Sequence, residues 1–121
     1  MEVTLANVPS RDWDLAEIWY ATSEDGFTWK EQGVAIPRSS KDGIASRSVT
    51  TTDILVWKGK YYLYYQAFED NGDGRVNDCV VTVSHADSPD GPWTPTNKIV
   101  IPNGPKGQWD HLTIHDPCPL V

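Results

Sequence analysis

Apolar and polar positions alternate over short stretches set between clusters of Gly, Pro, Asp and Ser, and no segment of ten or more residues repeats with a helical period of 3.6. Residues 17–22 (EIWYAT) predict a strand, Asp25-Gly26 a tight hairpin turn, and residues 28–31 (TWKE) its return strand. The pattern recurs downstream, with a strand at 52–57 (TDILVW), a turn at Lys58-Gly59 and a second strand at 60–66 (KYYLYYQ). A third strand is predicted at 79–85 (CVVTVSH), followed by Asp90-Gly91 and Trp93. Strict alternation over 60–66 puts Tyr61, Leu63 and Tyr65 on one face and Tyr62 and Tyr64 on the other. A strand that is apolar on both sides belongs to a sheet covered on both sides. Trp19, Trp29, Trp57 and Trp93 stand in strand registers and are expected in the core.

An internal repeat organises these elements. Residues 21–26 (ATSEDG) match 86–91 (ADSPDG) at an offset of 65, Ile36-Pro37 matches Ile101-Pro102 at the same offset, and Trp29 matches Trp93 at 64. Asp53, ahead of an apolar run, matches Asp116 at 63. The chain thus carries just under two copies of a unit of about four strands, each with two apolar faces, which is the signature of β-propeller blades. The predicted fold class is all-β, a fragment of about two blades of a β-propeller. Residues 1–40 are expected to end one blade, 41–105 to form a near-complete blade, and 106–121 to begin the next inner strand. A propeller closes with about four to eight blades, so blades are expected at both ends of this piece.

Composition narrows the partners. Ten Lys+Arg against 17 Asp+Glu give a formal charge of −7, and no basic cluster exists to release counterions from a nucleic acid. No run of 18 apolar residues appears, and Met1 is followed by Glu2 and polar residues rather than by an export signal, so neither nucleic acid nor membrane is an expected partner. The two cysteines, Cys79 and Cys118, have no metal-like spacing and are expected as small buried thiols.

Candidate chemistry sits where polar residues head an apolar strand. Thr50-Thr51-Thr52-Asp53 before Ile54-Leu55-Val56 has this form, and in a propeller the head of an inner strand faces the central cavity. The second copy offers Thr113-Ile114-His115-Asp116 before Pro117, where a following proline is expected to hold Asp116 extended. Two carboxylates at equivalent positions of neighbouring inner strands would converge on one cavity, which suits glycoside hydrolysis. An Asp at a strand start also serves as an Asx cap, and composition leaves both roles open. Trp109 is either a sugar-stacking platform or a packing aromatic. His111 and His115 lack a third ligand for a metal, His85 is expected as a packed or capping residue, and Glu69-Asp70-Asn71-Gly72-Asp73-Gly74 departs from the EF-hand pattern and is expected as a solvated loop. No cofactor is implied.

The strings at 14–29 and 52–66, together with Ile114-His115-Asp116-Pro117, resemble glycoside hydrolase family 117, whose members are α-1,3-(3,6-anhydro)-L-galactosidases acting on neoagaro-oligosaccharides. The resemblance implies a five-bladed propeller with its active site on the axis, an oligosaccharide substrate and a homodimeric parent, in either the periplasm or the cytoplasm. It implies a catalytic role for Asp116, in positioning or tuning acid–base chemistry, and substrate contacts from Asp53, Thr52, Gln66, His115 and Trp109. The family's general-base aspartate and its proton-donor histidine match no position here, so this piece alone is expected to be inactive. Cys118 stands where the family pattern has an aromatic residue. The competing expectations are a furanosidase or xylosidase of the family 43 type, and a non-catalytic carbohydrate-binding or structural propeller segment.

Overall fold

The computed structural model describes residues 15–39, 43–70 and 79–121. Among these there is no helix, and the chain is all-β. Strands β1 (Ile18–Thr22) and β2 (Lys30–Ile36) form an antiparallel pair. Strands β3 (Ser48–Trp57), β4 (Lys60–Phe68), β5 (Val80–Ala86) and the short β6 (Thr94–Pro95) form an antiparallel sheet in chain order.

The β3–β4 hairpin closes as expected. Lys58 and Gly59 both adopt positive φ, 49° and 75°, and Trp57 pairs with Lys60, so a two-residue turn matches the twist of its strands. The β1–β2 connection differs from the tight turn expected at Asp25-Gly26. Pairing ends at Thr22–Lys30, and residues 23–29 form a longer loop organised by one carboxylate. Asp25 Oδ1 accepts hydrogen bonds from the Thr28 and Phe27 amides at 2.7 and 2.8 Å and from Ser23 Oγ at 3.0 Å. These bonds favour the charged carboxylate, the Thr28 amide most, and hold the Asp25 pKa at about 2, below the ordinary 3.8.

Register sorts the two faces of the sheet. Opposed residues of an antiparallel pair share a face. Asp53–Tyr64, Leu55–Tyr62, Tyr62–His85 and Tyr64–Val83 therefore define one face, and Ile54–Leu63, Thr52–Tyr65, Leu63–Ser84 and Tyr65–Thr82 the other. The second face carries the core. Leu63, Tyr65, Ala67 and Val49 are buried against Ile18 and Ile36 of the β1–β2 pair, and Trp93 packs at the margin. Residues 113–121 lie across the first face, where Pro117 and Leu120 border a cleft of about 440 Å³ with Leu55, Trp57, Tyr62 and Tyr64. The sheet is apolar on both sides, as its alternation requires, but of the four tryptophans expected in the core three are exposed and Trp93 is only half-buried. Trp19, Trp29 and Trp57 are 54%, 62% and 45% exposed, because no second sheet lies over them among the described residues.

The two connections between successive sheets repeat. Val49 N donates to Ala16 O at 3.1 Å and Ala16 N donates to Ser48 Oγ at 3.2 Å, which ties the start of β3 to the approach to β1. In the second copy Cys79, ahead of β5, forms a parallel bridge with Thr113. The repeat in the sequence is thus a repeat of the join between one sheet and the strand that begins the next.

Ile36 is 3% exposed and Phe27 91%. Ile36→Ala is expected to lower the unfolding free energy by about 2–4 kcal/mol through loss of transfer energy and a residual cavity, and Phe27→Ala by less than about 0.5 kcal/mol, both read by urea denaturation. The depressed Asp25 pKa sets the sign of a pH effect. Its stabilisation is complete above pH 3.8 and is lost as the pH falls towards about 2. Acid titrations monitored by fluorescence should show a smaller loss of stability across this window in Asp25→Asn than in the parent chain.

Candidate functional site

The head of β3 is shaped by a one-residue bulge. Thr50 pairs with Gln66 and Thr52 with Tyr65, so Thr51 is the extra residue, at a φ of 38°. The side-chain period of two is broken there. Thr50 and Asp53, three apart, share the face of Gln66 and Tyr64, while Thr52 turns to the opposite face with Ile54. Of the three residues expected together, Thr52 and Asp53 line one pocket, with Leu63 and Trp93, whereas Gln66 lies on the face away from Thr52 and is met by Thr50.

Gln66 lies at the centre of a buried polar network. It is 2% exposed, and every polar atom of its carboxamide is used. Oε1 accepts from Thr50 Oγ1 at 3.2 Å, and Nε2 donates to Ile114 O at 2.9 Å and contacts His115 Nδ1 at 2.7 Å. Beside it the buried Cys79 Sγ lies 2.9 Å from Ile114 O and 2.7 Å from Thr113 Oγ1, which in turn is 2.9 Å from His115 Nε2. The segment preceding Asp116 is thereby bonded to β4 and to the residue that opens β5.

Asp53 is half-buried. Its Oδ1 accepts the amide of Ile54 at 2.8 Å, a local bond made inside β3 rather than at the strand start where the sequence placed it. Its carboxylate also receives the thiol of Cys118. That hydrogen bond and the negative charge behind it hold the Cys118 pKa above its ordinary value. Asp53 and the Asp116-bearing segment thus meet on one face of the sheet. Cys118 itself is exposed rather than buried as expected, and only Cys79 behaves as a core thiol.

Asp116 is exposed and makes no hydrogen bond or ion pair with the described residues. Its φ is 54°, in the left-handed region, so the extended backbone expected ahead of Pro117 is not adopted. Asp tolerates this conformation better than most residues, and strained φ/ψ concentrates where a side chain must be aimed. Trp109 is 94% exposed on the turn at 106–110 and joins none of these contacts. His111 Nδ1 folds back onto Gln108 O at 2.6 Å, away from His115. The loop beginning at Glu69-Asp70 continues into 71–78, which lie outside the described residues. Thr50, Cys79 and Thr113 escaped the sequence reading, because their roles depend on the bulge and on contacts across more than 30 residues.

A family model described as "Glycosyl hydrolases family 43" matches residues 8–118. The chain belongs to this family. No curated protein matches it. Among solved structures it is similar to Zg3597, a family 117 glycoside hydrolase from the marine bacterium Zobellia galactanivorans, with 63% identity, a TM-score of 0.83 and coverage of 93% of this chain and 33% of that one. It is also similar to an endo-arabinase from Bacteroides thetaiotaomicron VPI-5482, with 29% identity, a TM-score of 0.58 and coverage of 71% of this chain and 28% of that one. The chain spans about a third of the length of both relatives. The family 117 resemblance drawn from its aromatic strings holds, and the architecture is that of part of a β-propeller.

Native titration with a thiol reagent is expected to reveal one accessible cysteine, Cys118, with Cys79 reacting only on unfolding. Asp53→Asn removes the charge that holds the Cys118 proton, so it should speed Cys118 alkylation near pH 8, and an unchanged rate would separate the two side chains.

Proposed function

We propose that this chain forms part of a five-bladed propeller glycosidase that releases α-1,3-linked 3,6-anhydro-L-galactose from neoagaro-oligosaccharides, an activity belonging to agar degradation. The observation that carries this reading is the 63% identity to a family 117 glycoside hydrolase across 93% of the chain. Residues 41–105 constitute a blade, with 1–40 closing its predecessor and 106–121 opening its successor. The recurrence of the sheet-to-strand join at Ala16–Val49 and Cys79–Thr113 supports this division.

Asp116 is the catalytic candidate, positioning or tuning the acid–base chemistry. Its exposed carboxylate and aimed backbone suit a group that must reach substrate. Asp53 is the sugar-binding candidate on the same face, and it retains acceptor capacity beyond its bonds to Ile54 and Cys118. Trp109, fully presented to solvent, is suited to stacking on a sugar ring. Thr52 is a further sugar-binding candidate, since it lines a pocket together with Asp53, although it pairs on the face opposite Gln66.

The second reading, a furanosidase of the family 43 type, is favoured by the match of the family 43 model over residues 8–118 and by the likeness to an endo-arabinase. The lower identity of that relative, 29%, ranks it behind the first.

The test is sugar release by the full-length protein carrying these residues. Neoagarobiose is expected to yield anhydrogalactose, and Asp116→Asn to lower kcat by about 10²- to 10⁴-fold, the range of an acid–base group. Hydrolysis of arabino-oligosaccharides instead would select the second reading. Turnover unchanged in Asp116→Asn would make the segment a binding or scaffold element. The 121-residue chain by itself should release no sugar.

A further inference from the structure

We propose that Gln66 and His115 form a tautomer lock that positions Asp116, and that neither residue contacts sugar. The chemistry of each partner sets the direction of each hydrogen bond. Ile114 O is an acceptor only, so the Gln66 atom 2.9 Å away is the amide nitrogen, which fixes the orientation of the carboxamide. That nitrogen is a donor only. His115 Nδ1, 2.7 Å from it, must then present a lone pair, and the imidazole is the neutral Nε2–H tautomer. Nε2–H donates to Thr113 Oγ1 at 2.9 Å. With the Cys79 thiol donating to Ile114 O at 2.9 Å, the Thr113 hydroxyl donates to Cys79 Sγ at 2.7 Å. Thr50 completes the set by donating to Gln66 Oε1 at 3.2 Å. This arrangement satisfies every member; a flipped Gln66 would set Oε1 against the Ile114 carbonyl oxygen, and a proton on Nδ1 of His115 would face the amide hydrogens, while the Thr113–Cys79 contact can run in either direction.

The consequence falls on the residue that follows. Both nitrogens of His115 are consumed within the protein, so the ring has no atom left to hold a sugar hydroxyl, transfer a proton or ligate a metal, exposed though the residue is. What it does instead is hold the 113–115 backbone against β4 and the approach to β5, one residue before the left-handed turn at Asp116. Gln66 and His115 are positioning residues. This assignment rests on the reading of Asp116 as catalytic, whereas the lock itself does not.

Two measurements test it. In the 15N-histidine-labelled chain, the imidazole of His115 is expected to show an unprotonated Nδ1 and a protonated Nε2, and in Gln66→Leu to become a mixture of tautomers. A protonated Nδ1, a freely exchanging ring in the parent chain, or a tautomer unchanged by Gln66→Leu would overturn the lock. In the full-length protein, His115→Asn places an acceptor oxygen at the Nδ1 position and is expected to keep kcat within about threefold, while His115→Ala and Gln66→Leu lower kcat by about 10- to 100-fold with KM nearly constant, as for a misplaced catalytic group. A raised KM with kcat preserved would make these residues substrate contacts after all. If the parent protein releases no anhydrogalactose, the functional reading fails, and the tautomer measurement still decides for or against the lock.

Discussion

The buried carboxamide of Gln66 is the interaction on which the second half of the structure depends. An amide in an apolar interior must find partners for two donors and an acceptor, and leaving one unpaired costs about 1–3 kcal/mol. Here those partners come from three places far apart in the chain: Thr50 at the head of β3, Ile114 and His115 in the C-terminal segment, and a neighbouring thiol ahead of β5. Residues 113–116 belong to no strand, and a backbone bridge to Cys79 with these side-chain bonds is what holds them. The polar network does for this segment what a ladder of backbone bonds does for the strands.

The bulge at Thr51 is the second constraint. Without it Thr50 would turn to the core face with Thr52, and Val49 would leave the core. One inserted residue instead sets Thr50 against Gln66 and Val49 in the core, while the register of the hairpin turn keeps Asp53 opposite Tyr64, on the side where the C-terminal segment lies, and Ile54 opposite Leu63. The same chain therefore supplies a continuous apolar core face and a polar cluster on its reverse. The backbone at Thr51 and Asp116 occupies left-handed φ values that cost a non-glycine residue of order 1 kcal/mol. Both lie at the ends of the candidate site, which is where such strain is ordinarily retained.

The chain joins two properties seldom found together in a self-contained domain, a sheet apolar on both sides and large exposed aromatics on its flanks. Part of a closed ring of blades reconciles them, and the similarity to glycosidases three times its length agrees. The repeat is expressed as equivalent joins, so each sheet hands the chain to the next in the same way.

Much of this was written locally. The alternation of 60–66, the Lys58-Gly59 turn and the offset between copies determined the all-β class, the hairpin and the two-faced sheet, because period and turn chemistry act between near neighbours. Which faces Val49 and Thr50 occupy was not legible, since a single bulged residue reverses every assignment that precedes it. The burial of Gln66, the tautomer of His115 and the partnership of Cys118 with Asp53 likewise arise from contacts between residues 49 and 65 positions apart, or between strands whose register only the folded chain sets. Sequence determined the kind of strands and their repetition. Tertiary structure alone decided which polar groups meet, because a buried hydrogen bond is specified by distance and direction, and neither is carried by residue type.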